Sequence, residues 1–159
     1  MVISILVFLV FLAASAAVAS SGIVFRPGRW YANLNHPSWR PPNALFGPVW
    51  LVLYIMIATS GWLIWREAGL AGAAFPLLVF ALQLVLNAVW SWLAFERRRL
   101  DLASLDMAAL WLAILANIAV FLPISAIAAW LLVPYLAWVS FALALNVKLW
   151  RLNPVAGNA

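Results

Sequence analysis

The sequence predicts an all-α integral membrane protein: a bundle of five transmembrane helices with a lid-like loop between helices 1 and 2. Three observations predict it. The chain is 69% hydrophobic and only 8% charged, with a mean hydropathy of +1.09, whereas a soluble domain is about 45–50% apolar and about 25% charged. Its 159 residues cannot bury that much apolar surface in a water-soluble core, so the solvent must be lipid. The apolar residues fall into five stretches, and the charges fall between them.

The stretches run over roughly 2–25, 44–65, 73–95, 102–122 and 127–150. Each is close to the ~20 residues that cross a bilayer as a helix, and none shows the short alternating pattern of a barrel strand. The whole chain, 1–159, reads as a single transmembrane domain. The first stretch could be mistaken for a secretory signal, but no Lys or Arg precedes Arg26, and a signal peptide begins with a basic region. It is therefore expected to be a retained helix. Its small residues, Ala13, Ala14, Ala17, Ser20, Ser21 and Gly22, are expected to allow close helix packing.

Five crossings place the termini on opposite sides. Arg26, Arg29 and Arg40 lie in the first connection, Arg97, Arg98 and Arg99 in the third, and Lys148 and Arg151 near the C-terminus; Arg66 is alone on the other side. For a bacterial inner membrane the positive-inside rule then puts the C-terminus in the cytoplasm and the N-terminus outside. The net charge of +5 is thus a topology signal, and no nucleic-acid partner is expected. There is no cysteine, and His36 is the only histidine, so neither a metal site nor an obligatory cofactor is expected.

The four carboxylates, Glu67, Glu96, Asp101 and Asp106, lie at or near helix ends. That leaves no relay at mid-membrane for an ion-driven carrier, no carboxylate pair for hydrolysis and no serine triad. The polar residues inside the stretches are neutral. Gln83, Asn87 and Ser91 recur every four residues and share one helix face. That face must look inward, either to bond neighbouring helices or to wall a ligand pocket. Asn146 poses the same choice, and Asn117 is read as packing.

Eleven tryptophans are the unusual count. Trp30, Trp65, Trp130 and Trp150 fall near stretch ends, where indoles anchor at the headgroups. Trp50, Trp90, Trp111 and Trp138 lie deeper. A buried indole N–H needs an acceptor, or a ligand that supplies one, and aromatic walls with a few polar groups describe a site for a flat apolar molecule. The first loop, 29–42, is dense in Trp, Tyr and Pro. It is expected either to cover the mouth of the bundle or to lie among headgroups.

These segments carry Trp30-Tyr31-x-x-Leu34-Asn35-x-Pro37-x-Trp39-x-Pro41-Pro42, then Gly47-Pro48-x-Trp50-x-x-Leu53-Tyr54, Gln83-Leu84-x-Leu86-Asn87-x-x-Trp90, and Pro134-Tyr135-Leu136-Ala137-Trp138 with Ala142 and Leu145-Asn146. In this order, and across nearly the whole chain, they resemble the tryptophan-rich sensory protein/translocator protein family (the peripheral benzodiazepine receptor type), in its bacterial form. The resemblance implies a five-helix bundle, often a homodimer, whose pocket is closed by the first loop and binds porphyrins and, in some members, sterols or benzodiazepine-type ligands. It implies that Trp50 and Asn87 offer polar contacts and that Trp138 and Ala142 line the last helix. Tyr31, Trp39, Pro41 and Pro42 would belong to the lid, and Phe46, Tyr54 and Trp90 to the aromatic lining. Gln83 joins this set as part of the polar wall. Val147 stands where animal members carry a Tyr in a proposed cholesterol motif, which counts against sterol recognition at that point.

Three functions follow from these readings. The first is a porphyrin-binding sensor or transporter, with protoporphyrin IX as ligand, its carboxylates meeting Arg29 or Arg40 and membrane lipid around it. Haem fits less well, because no histidine lies in a stretch to serve as axial ligand. The second is a light- and oxygen-dependent porphyrin-degrading activity, with Trp50 and Trp138 as redox neighbours and no other catalytic residue. The third is a structural subunit with no small ligand.

Overall fold

The computed structural model describes residues 2–154, and among these all regular structure is helical. Helix α1 spans Val2–Val24, the single turn α2 Arg29–Ala32, and α3 Asn43–Ser91, followed by a π-turn over Trp92–Glu96. Then come α4 (Leu100–Phe121), α5 (Ala126–Leu131) and α6 (Val133–Leu152). Four helical runs are long and apolar enough to cross a membrane: Val2–Val24, Asn43–Glu96, Leu100–Phe121 and Ala126–Leu152.

The 49 residues of α3 would extend about 74 Å if straight, more than twice the ~30 Å hydrocarbon core. They are not straight. Gly69 breaks the helix with φ 65°, ψ 179°, a conformation essentially reserved for glycine. Tyr54 and Asn87 are 33 residues apart, yet their side chains are hydrogen-bonded at 2.9 Å; along a straight helix they would be separated by roughly 50 Å. The arms 43–68 and 70–91 therefore double back and lie side by side. The connection expected over 66–72 is reduced to one non-helical residue, because the flanking Ala, Glu and Leu all favour helix.

Other breaks have equally local causes. Ser125 caps α5 by accepting from the Ala128 amide at 3.4 Å. Leu132 separates α5 from α6, and Pro134 sits in the first turn of α6, where its missing N–H costs no intrahelical bond. The last apolar stretch is thus two helices in tandem. The Arg97 amide donates to the Trp92 carbonyl at 3.0 Å. This wider π-turn brings Phe95 back beside Trp90, at 5.5 Å between ring centroids.

Helix α1 packs on α3, α3 on α4 and α5, and α4 on α6. The close approach of α1 is made at Gly61, where a Cβ would stand 2.7 Å from the Phe11 ring and 2.9 Å from Phe80. The next residue, Trp62, donates to the Ser4 carbonyl at 3.0 Å. Of the small residues expected to pack α1, Ala14 touches the core, Ala13 and Ala17 are exposed, and Ser20 and Gly22 line a cavity instead. The reason is that they fall on different faces of α1: Phe11, Ala14 and Val18 face the core, whereas Leu12, Ser15, Ala16, Ala19 and Ile23 face the cavity.

Candidate ligand-binding cavity

Beside this second face of α1, a cavity of about 710 Å³ opens between α1, both arms of α3 and α6. Eight of the residues singled out in the sequence line it: Tyr31, Phe46, Trp50, Tyr54, Asn87, Trp90, Trp138 and Ala142. They come from the first loop, from both arms of α3 and from α6, so the fold back at Gly69 is what brings them together.

Asn87 is the fixed polar point. Its Oδ1 accepts from the Tyr54 hydroxyl at 2.9 Å, and its Nδ2 donates to the Tyr135 hydroxyl at 2.6 Å. The amide thus ties the two arms of α3 to α6. Tyr135 is fully buried and does not line the cavity; it holds Asn87 from behind. Its place in the Pro134-Tyr135 motif could have flagged it, since a phenol inside an apolar helix needs a partner. Trp50 stacks on Tyr54 at 5.3 Å and meets Tyr135 edge-on at 6.2 Å. Across the cavity Phe46 packs against Trp138 at 5.7 Å.

The indole nitrogens of Trp90 and Trp138 are buried and have no partner among the described residues. Of the other deep indoles, Trp111 donates to the Ser140 hydroxyl at 2.8 Å on α6. Ser15 of α1, also on the cavity wall, is fully buried with an unpartnered hydroxyl. Helix α1 contributes Leu12, Ala16, Ala19 and Ile23 as well. No sequence signal distinguishes these from lipid-facing residues, because both surroundings are apolar.

The first loop lies across this end of the bundle. Leu34 is buried against Leu100 and Leu149, beneath Trp30, Tyr31 and Trp150. Asn153 at the end of α6 grips the Asn35 backbone twice, accepting from its amide at 2.9 Å and donating to its carbonyl at 3.0 Å. Tyr31 and Arg40 reach the cavity from this loop. The Arg40 guanidinium sits over the Tyr31 ring at 5.3 Å and bonds the Asn43 side chain, while its Nε is buried and unpartnered among the described residues. Burial pushes the Tyr31 phenol above its ordinary range, opposed by the Arg40 charge. His36 donates from Nε2 to the Tyr31 carbonyl at 3.0 Å. Desolvation and then the Arg40 charge hold its pKa below the ordinary value, with the Tyr31 carbonyl acting in the opposite sense.

Four singled-out residues lie off the wall. Trp39 turns outward, its ring against Phe141 at 5.7 Å, and Pro41 and Pro42 shape the entry to α3 beside Arg40. Gln83, one turn from Asn87, is fully buried beyond the cavity lining. Arg29 is likewise absent from the lining, so Arg40 is the cation at the mouth. Asn117 packs, donating to the Pro76 carbonyl at 3.4 Å. Asn146 does both: it lines the cavity and donates to Leu100 O and Ser104 Oγ on α4.

Comparison with known proteins places this arrangement. The model of the TspO/MBR family matches residues 4–151. The chain belongs to that family. It is 36% identical to Protein CrtK of Rhodobacter capsulatus over 156 residues, covering 95% of each chain. It is 36% identical to the tryptophan-rich sensory protein of Cereibacter sphaeroides over 146 residues, 92% of this chain and 90% of the relative. The human translocator protein is 39% identical over 127 residues, 79% of this chain and 75% of that one. Family membership and the long apolar helices together make this TspO/MBR protein an integral, multi-pass membrane protein.

Proposed function

We propose that the protein is a membrane receptor of translocator type that binds a porphyrin, protoporphyrin IX, in this cavity and serves a sensory, regulatory or transport role. Sterols and other broad hydrophobic molecules fall within the same proposal. The observation that carries it is a cavity of about 710 Å³ walled by Trp50, Trp90, Trp138 and Phe46, with unpartnered donors on two indoles and on Arg40. Its size lies within the ~300–1,000 Å³ of small-molecule sites. The rings match a flat apolar macrocycle, and Arg40 matches a peripheral carboxylate.

The same reading has the chain cross the membrane five times, with the arms 43–68 and 70–91 as separate spans. The N-terminus lies outside and the C-terminus in the cytoplasm, and the loop held by Asn153 acts as the lid. The functional unit is a homodimer. A second reading, light- and oxygen-dependent porphyrin degradation, draws support from the stacked Trp50–Tyr54 pair and from Trp138, oxidisable rings on the cavity wall.

The test is a titration with protoporphyrin IX in the dark, read by tryptophan fluorescence, on detergent-purified wild type and a Trp138→Ala variant of matched folding. Saturable quenching that weakens about tenfold in the variant, ~1.4 kcal/mol, is the expected result. Non-saturable quenching, equal in both, would mean partitioning into micelles and would remove the proposal. A product formed only in light, and lost in Trp50→Phe, would favour the second reading.

A further inference from the structure

A second, shallower groove of about 510 Å³ runs along the outer face of α6. Leu143, Val147 and Arg151 form one row of that face and Ala144 and Lys148 the next, each four residues apart. Trp39, 47% exposed, makes the opposite bank from the first loop. Apart from Ser140, whose hydroxyl is hydrogen-bonded to Leu136 and Trp111, the floor is apolar, and the cations enter only in the last two turns of the helix. Lys148 and Arg151 are exposed and form no ion pair among the described residues, and no acidic residue lines the groove.

A lipid-facing channel with an apolar floor and two free cations at its end matches few occupants. A sterol brings a hydroxyl and leaves both charges unmatched. A second copy of the chain, packed with its two-fold axis through this end of the groove, would set these cations against their own counterparts. A zwitterionic lipid brings an ammonium into a cationic site. An anionic phospholipid satisfies both parts, since basic groups at the membrane surface attract anionic headgroups by about 1 kcal/mol each. The geometry points to a bound anionic phospholipid, with an acyl chain along Leu143, Ala144 and Val147 and its phosphate between Lys148 and Arg151.

The test uses the full chain in detergent, supplied with dioleoyl phosphatidylglycerol or dioleoyl phosphatidylcholine at equal mole fraction and read by native mass spectrometry. Phosphatidylglycerol adducts are expected to persist where phosphatidylcholine adducts are lost. Lys148→Gln with Arg151→Gln should lower phosphatidylglycerol retention about tenfold. Arg97→Gln with Arg98→Gln, the same charge change at another helix end, should leave it intact. Equal retention of the two lipids by wild type, unchanged retention in the Lys148/Arg151 pair, or equal loss in both pairs would overturn the assignment. So would a change of oligomeric mass in the Lys148/Arg151 pair, which would give the groove to a second copy.

Discussion

Replacing Asn87 by Leu removes two hydrogen bonds while keeping the side chain's volume nearly constant, and it tests whether this amide organises the cavity. The Tyr135 hydroxyl, fully buried, loses its donor at 2.6 Å. An orphaned buried polar group costs about 1–3 kcal/mol. The Tyr54 hydroxyl loses its acceptor at 2.9 Å but borders the cavity, so its loss costs about 0.5–1.5 kcal/mol. Asn87→Leu should therefore destabilise by about 2–4 kcal/mol. Tyr135→Phe in the wild-type background orphans Nδ2 of Asn87 instead, at about 1–3 kcal/mol. In the double variant neither orphan exists, and replacing both partners by apolar groups is nearly neutral. The double variant should thus be less destabilised than the sum of the singles. Because interhelical polar pairs in membranes average only ~0.6 kcal/mol and reach ~1.7, the expected coupling is about 1 kcal/mol. Reversible unfolding in mixed micelles of the four proteins measures it. Additivity within ~0.3 kcal/mol would refute the claim that Asn87 and Tyr135 form one unit.

Three further outcomes follow from the packing. Gly61→Ala should destabilise by about 1–3 kcal/mol, seen as a lower melting temperature, because its new methyl would stand 2.7 Å from Phe11 and 2.9 Å from Phe80. Asn153→Ala should cost the first loop about 1 kcal/mol, so hydrogen exchange at the Asn35 amide should accelerate roughly fivefold with little change in the core helices. The depressed His36 pKa makes the loop pH-sensitive. The unfolded chain binds the proton more readily, so the stabilisation is present above the ordinary value of 6.5 and is lost as pH falls through the folded pKa. Melting curves on the acid side of 6.5 should fall more steeply in wild type than in His36→Gln, and parallel curves would contradict this.

The apolar runs were legible in the sequence because charge, Pro and Gly punctuate them, and so was the polar column on α3; the shrinking of the 66–72 connection to Gly69 and the split of the last run at Leu132 were not. Two further features were hidden. The four-residue spacing of Gln83, Asn87 and Ser91 states that they share a face, but not how deep the cavity reaches along it. The structure stops the cavity at Asn87 and leaves Gln83 in the protein interior. The share of α1 was also hidden. In water, hydrophobic periodicity marks the buried face, but in lipid the exposed face is equally apolar, so Leu12 and Ile23 facing a cavity look like Leu6 or Leu9 facing lipid. Ser15, polar and fully buried, and Ser4, the partner of Trp62, could have betrayed the direction of that helix. The loop was read correctly as rich in apolar rings, but its fastening depends on Asn153, which is more than a hundred residues away and outside every local pattern.

The distribution of satisfied and unsatisfied polar groups argues for the cavity more strongly than its shape does. In hydrocarbon each buried donor must find a partner within the protein, and the helix contacts of this chain do so. Ser60 donates to the Ala128 carbonyl, Trp62 to Ser4, Trp111 to Ser140, and Asn146 to Leu100 and Ser104. Gln83 and Asn117 are exceptions within the helix contacts, and Ser21, His36 and Asp106 each leave one polar atom unmatched away from the cavity. Ser15, Arg40, Trp90 and Trp138 are exceptions of a different kind: they come from α1, the first loop, α3 and α6, and all four line one cavity. Packing alone gives no reason for four separate segments to leave polar atoms unmatched at a common space. A guest with acceptors at its edge would match all four.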